Sequence, residues 1–153
     1  MNLELADFGR KLGIRSGHLV SLLNAPPFIA PVLRAALPPD VSLHVGLPQD
    51  GQPDVVLFWP DAGTDLARVF QDLRWKIKPD GAVWAVIPKK PVADSRGPRI
   101  YFDELLAQVL PTGLVDNKTL TFSQEEYGVR FVVRKELRRV PPPLEPGRAE
   151  GPA

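Results

Sequence analysis

Asp54-Val-Val-Leu-Phe-Trp59 is followed by apolar residues at Leu66, Val69, Phe70, Leu73 and Ile77, then by Lys78-Pro79-Asp80-Gly81 and Ala82-Val-Trp-Ala-Val-Ile-Pro88. The two outer segments are short, nearly all-apolar and β-branched, as strands buried on both faces are. Between them the apolar residues recur at helical spacing, and Thr64 offers an N-cap. Pro79 and Gly81 supply the stop and turn. A strand, a helix and a second buried strand of this kind form a βαβ unit, the building block of a parallel sheet.

The same grammar extends outward. His18-Leu-Val-Ser-Leu-Leu-Asn24 predicts another buried strand. Before it, Leu5, Phe8 and Leu12 share a helical face that ends at Gly13, with Ile14 folding back over the end. After it, Phe28, Ile29, Val32, Leu33, Ala36 and Leu37 form an apolar stripe. Pro31 leaves two starts open: Phe28, with the proline in the first turn, or Pro31 itself. Val41 to Val45 is a short strand. Lys89 to Pro98 is expected to be a polar loop. Phe102, Leu105, Leu106, Val109 and Leu110 predict a helix that stops at Pro111-Thr-Gly113. Leu114 to Phe122 and Val129 to Glu136 predict a closing hairpin around Ser123 to Gly128. The expected fold is therefore α/β and Rossmann-like. Its sheet is mainly parallel, with helices on both faces and a C-terminal antiparallel hairpin.

Composition narrows the function. The chain has 153 residues, a formal charge of +1 and no cysteine, which excludes disulfides and thiolate metal sites. Two histidines, His18 and His44, make a histidine metal centre unexpected. His18 is read as structural, and His44 has no assigned role. No stretch reads as a signal peptide or approaches the ~20 apolar residues of a membrane span, so cytoplasm is the expected compartment. One domain is expected over residues 1–139. Five of the 18 prolines follow Val140, so residues 140–153 are expected to be a disordered, proline-rich tail. Pro143-x-x-Pro146 there has the minimal spacing of a proline-motif ligand, a very common pattern.

The order of elements resembles a trimmed class I methyltransferase fold, with Asp54 to Trp59 similar to that superfamily's fourth strand and Leu73 to Val86 to its next helix, turn and strand. Lys11-Leu-Gly-Ile-Arg-Ser-Gly17, Leu22-Leu-Asn-Ala-Pro26, Pro88-Lys-Lys90, Gly113-Leu-Val-Asp-Asn-Lys118 and Val129-Arg-Phe-Val-Val-Arg-Lys-Glu136 resemble, in order, segments of a bacterial domain family of unknown function, family 3052. That resemblance spans roughly residues 5 to 138 and implies a fold but no activity.

Ligands of open α/β sheets sit beyond the carboxyl ends of the strands, where strand order reverses. The turn expected there, Asn24-Ala-Pro-Pro27, lacks the glycines that let a nucleoside cofactor approach the backbone, and its prolines remove N–H donors. The second strand ends His44-Val-Gly-Leu47, without an acid to accept from ribose hydroxyls. No cofactor is therefore expected. Candidate ligand-binding residues are Asn24, Pro26, Trp59, Lys89 and Lys90, with Arg96 and Arg99 near the lysines as further anion-binding cations. Plainer readings stand beside these: Asn24 bonded to its own turn, Trp59 a cap on the sheet, the lysines a solvated loop. No residue is assigned as catalytic, and no nucleophile elbow, Walker loop or metal spacing is present. The leading expectation is a non-catalytic, methyltransferase-like domain for an anionic small molecule or a protein partner. An active methyltransferase using Trp59, Asp61 and Lys89 is the alternative. A nucleic-acid module built on Arg130, Arg134 and Lys135 ranks last.

Overall fold

The computed structural model describes residues 5–138. The proline-rich tail expected at 140–153 lies outside the described residues. The elements run α1 (Leu5–Leu12), β1 (Leu19–Leu23), α2 (Ile29–Ala36), β2 (Ser42–Val45), β3 (Val55–Phe58), α3 (Leu66–Lys76), β4 (Ala82–Pro88), α4 (Lys90–Arg96), α5 (Phe102–Val109), β5 (Leu114–Thr121) and β6 (Glu126–Val133). Six strands make one sheet in the order β2-β1-β3-β4-β6-β5. The first four are parallel. β6 runs antiparallel to both β4 and β5. The Rossmann-like architecture expected from the sequence is the one found.

Strand alternation divides the core into two layers. Val56 and Phe58 of β3 and Val83, Ala85 and Ile87 of β4 face α3 and α5, where Phe70, Leu73 and Leu105 cover them. Val55, Leu57, Trp84 and Val86 face the other way and pack under Phe8 and Leu12 of α1 and Ile29 and Leu33 of α2. All seven residues of β4 are buried, as its continuous apolar run requires.

Several expectations are corrected. Lys89 to Pro98 is not a loop throughout: residues 90–96 form α4, with Pro91 in its first turn and Gly97 at φ 72 ending it. Only Val92 and Ala93 are apolar in that helix, so its periodicity is faint in the sequence. The cap of α3 is Asp65, which accepts from the Arg68 N–H at 3.2 Å. Thr64 instead accepts from the Asp61 N–H at 2.8 Å. The Pro31 ambiguity resolves toward Phe28, which caps α2 and leaves Pro31 in the first turn.

The last strand begins at Glu126, three residues before its expected start, and ends at Val133. Gly128 misled the reading because glycine ordinarily marks a turn. Here it lies inside a strand because Phe122 and Trp84 press on it. An added Cβ would meet them at 2.6 and 2.9 Å. Arg134 falls outside the strand, so it does not share a strand face with Arg130 as expected. Arg130 is itself half-buried, paired in register with Trp84 and Lys118.

Candidate functional site

From β1 the chain moves outward to β2 and then returns past β1 to β3, so strand order reverses between β1 and β3. Their carboxyl ends are therefore where a ligand crevice belongs. A cavity of about 340 Å³ opens there, bordered by Asn24, Pro26, Trp59, Asp61, Pro88 and Glu126. Three of the five residues expected at a site, Asn24, Pro26 and Trp59, come together in it.

Asn24 closes the crevice from the β1 side. It is the one non-glycine residue with positive φ among those described, at 56°. Asparagine tolerates that left-handed conformation better than most residues. Its side-chain amide donates to the Trp59 carbonyl at 2.6 Å and to Asp61 Oδ1 at 2.9 Å. Asn24 therefore does not bond its own turn, as the plainer reading expected. It ties the end of β1 to the end of β3 across the switch point. Asn24→Gly should keep the backbone turn and lose both ties. Asn24→Ala should lose the ties and strain the turn as well, and unfold more readily by ~1–2 kcal/mol than the glycine variant. Denaturant titration of the pair measures the difference, and equal stabilities would show the turn to be unstrained.

Glu126 is a site residue that the sequence reading did not single out. Antiparallel pairing sets it opposite Pro88, at the carboxyl end of β4. It is half-buried, and that burial pushes its carboxyl above the ordinary value. The Trp59 indole N–H pulls part of the way back, although it stops short of full hydrogen-bond geometry. Trp59 is only 6% exposed, so it caps the sheet with its Nε1 unpartnered. Knowledge of the hairpin register would have revealed Glu126; residue type alone could not.

The candidate cations go elsewhere. Lys89 is the cap residue of α4, and its backbone N–H donates to the Glu125 carbonyl at 2.8 Å. Lys90 pairs with Asp94 at 3.1 Å, and Arg96 pairs with Glu125. None of Lys89, Lys90 and Arg96 borders the crevice, whose charged side chains are Asp61 and Glu126. His18 accepts the Arg15 N–H through Nδ1, a structural role. His44 is exposed on β2. Among the described residues no cluster of three His, Cys, Asp or Glu could hold a metal, and no helix is long and apolar enough to cross a membrane.

Sheet order and the arrangement of helices are those of a Rossmann-like, methyltransferase-like fold. An S-adenosylmethionine-dependent methyltransferase from Aquifex aeolicus superposes with a TM-score of 0.64 at 13% identity, over 85% of this chain and 90% of that one. A type 11 methyltransferase from Sulfolobus solfataricus, described as putative, gives 0.59 at 14% identity over 83% and 89%. The glycopeptide N-methyltransferase MtfA, complexed with sinefungin, gives 0.54 at 11% identity over 85% and 92%. Likeness at such low identity establishes the fold alone. No protein-family model and no curated protein matches the sequence.

Proposed function

We propose that this domain keeps the methyltransferase fold without its cofactor chemistry and works as a non-catalytic binding module for a protein partner. One observation carries the reading. At the bend after β1, where a nucleoside cofactor would lie against the main chain, stands Asn24 in place of a glycine, its side-chain amide committed to Trp59 and Asp61. Pro26 and Pro27 follow it and offer no N–H. At the end of β2 stand Val45 and Gly46, with no carboxylate for a ribose. The residues present do not fit S-adenosylmethionine bound in the usual mode.

Between a small anion and a protein, the geometry favours the protein. Lys90 and Arg96 are already paired, and two carboxyl groups face the crevice. Among the described residues the large apolar side chains left exposed, Phe28 at 53% and Val45 at 70%, follow β1 and end β2 respectively, on the crevice side of the sheet. Apolar side chains exposed on that side offer contact area to a protein and none to a small anion. The resemblance to family 3052, which brings no activity, is compatible with this role. We place the domain in the cytoplasm, the compartment expected from the sequence.

Calorimetry with S-adenosylmethionine and S-adenosylhomocysteine tests the reading. Neither should bind at millimolar concentration. Micromolar affinity accompanied by methyl transfer to any acceptor would overturn it in favour of an active enzyme.

A further inference from the structure

Beside the crevice lies a larger cavity of about 470 Å³, a volume typical of small-ligand sites. It lies where α4, the start of α5 and β6 meet. Three half-buried aromatic residues, Tyr101, Phe102 and Tyr127, line it over an apolar floor that includes Ile100. Two carboxylates also border it, Asp94 and Asp103. Asp94 is engaged twice, by Lys90 at 3.1 Å and by the Tyr101 hydroxyl. Arg99 acts on Asp94 and Tyr101 from beside the cavity, whereas the exposed Asp103 side chain has no hydrogen-bond or ion-pair partner among the described residues, so it is the carboxylate of the lining left free for a ligand.

We propose that this cavity is an aromatic cage for a methylated or quaternary ammonium group, held against the rings of Tyr101, Phe102 and Tyr127 and balanced by Asp103. Aromatic faces attract cations through the ring quadrupole, and a methylated ammonium gives up its water more easily than a bare one does. Other ligand classes fit less well. An anion would meet Asp103 and find the only lysine of the cavity already paired. A divalent metal would find one free carboxylate and no histidine. A wholly apolar ligand would make no use of Asp103. Burial and the neighbouring Asp103 push the Tyr127 phenol above its ordinary value, so this carboxylate acts on the same space as the ring. Lys90 also borders the cavity, but its side chain is 77% exposed and is held by Asp94.

The site is independent of the proposed loss of cofactor binding and does not need it to be right. The test is an NMR titration of the full chain with tetramethylammonium chloride and choline chloride, against sodium chloride at equal ionic strength. A trimethyl-lysine peptide and its unmethylated counterpart form a second arm. The expected result is saturable shifts of the Tyr101, Phe102 and Tyr127 rings with the methylated cations and none with sodium. Asp103→Asn, at an exposed position where folding is not at stake, should weaken binding roughly tenfold, as should Tyr127→Ala. Binding of the free cations alone identifies a small metabolite head group; binding of the methylated peptide alone identifies a modified side chain; either supports the cage. No saturable shift with any methylated cation, or affinity unchanged in Asp103→Asn, would overturn it.

Discussion

Replacing Trp84 with alanine is expected to cost about 3–5 kcal/mol of folding stability, a large share of what a domain of this size possesses. Trp84 stands in the middle of β4, between β3 and β6, and is fully buried. It packs beneath α1 and α2, with its ring centroid 6.3 Å from that of Phe122. Its indole N–H donates to the Leu12 carbonyl at 3.0 Å, where α1 ends. This bond gives a helix terminus one of the partners that its last carbonyls lack. Trp84→Phe separates the two contributions. It keeps an aromatic ring in the layer but strands the Leu12 carbonyl, and should cost less, about 1–3 kcal/mol. Urea denaturation of the three proteins measures both values. Losses below about 1 kcal/mol in both variants would show that this layer is not the foundation of the fold.

The second large effect is expected at Asp54, just before β3 and at the end of the sheet opposite the crevice. One carboxylate oxygen accepts the Leu19 N–H at 2.8 Å, and the other pairs with Lys78 at 2.9 Å. Asp54 thereby joins the start of β1 to the turn that leads into β4. Asp54→Ala leaves a part-buried N–H without its acceptor and should cost about 1.5–3 kcal/mol near neutral pH. The pH dependence has a definite sign. Burial alone would raise this carboxyl, but the Leu19 N–H and the Lys78 ammonium outweigh burial and hold it below the ordinary 3.8. As acid is added, the unfolded chain takes up its proton first. The stability that ionised Asp54 supplies is therefore complete above the ordinary value and drains away as the pH falls through the lower, folded one. His18 Nε2, 3.9 Å from the same carboxylate, also favours its ionised form, and the gap between the native protein and Asp54→Ala should narrow below pH 3.8. A gap that fails to narrow there would contradict the assignment.

Much of the fold was legible because burial writes itself plainly into sequence. β4 matches its reading residue for residue: seven apolar positions between Gly81 and Lys89 admit no other interpretation. Gly13 stops α1 at φ 80, and Ile14 packs back into the core, as the spacing implied. The failures came where one residue served two purposes. Gly128 read as a turn because glycine usually is one, whereas here two aromatic rings exclude a side chain. The seven residues of α4 offered too few apolar positions to display a period.

The candidate site was legible only in part, for a similar reason. The glycine-free bend and the missing acid after β2 are local features and could be read directly. The bond from Asn24 to residues 35 and 37 positions onward is not local, and neither is the delivery of Glu126 beside Pro88. The lysines looked like anion ligands until their partners were visible. Asp94 is four residues from Lys90, a helical spacing that a loop assignment concealed.

The placement of β6 couples the two halves of the molecule. Running against both its neighbours, it delivers Glu126 to the crevice while Val129, Phe131 and Val133 face the α3–α5 layer. Strand side chains alternate strictly, so a one-residue slip would carry Glu126 away from Pro88 and turn all three apolar residues out of their layer. A single-codon insertion near the start of this strand would therefore damage crevice and core at once. Neither could drift in evolution without the other paying for it.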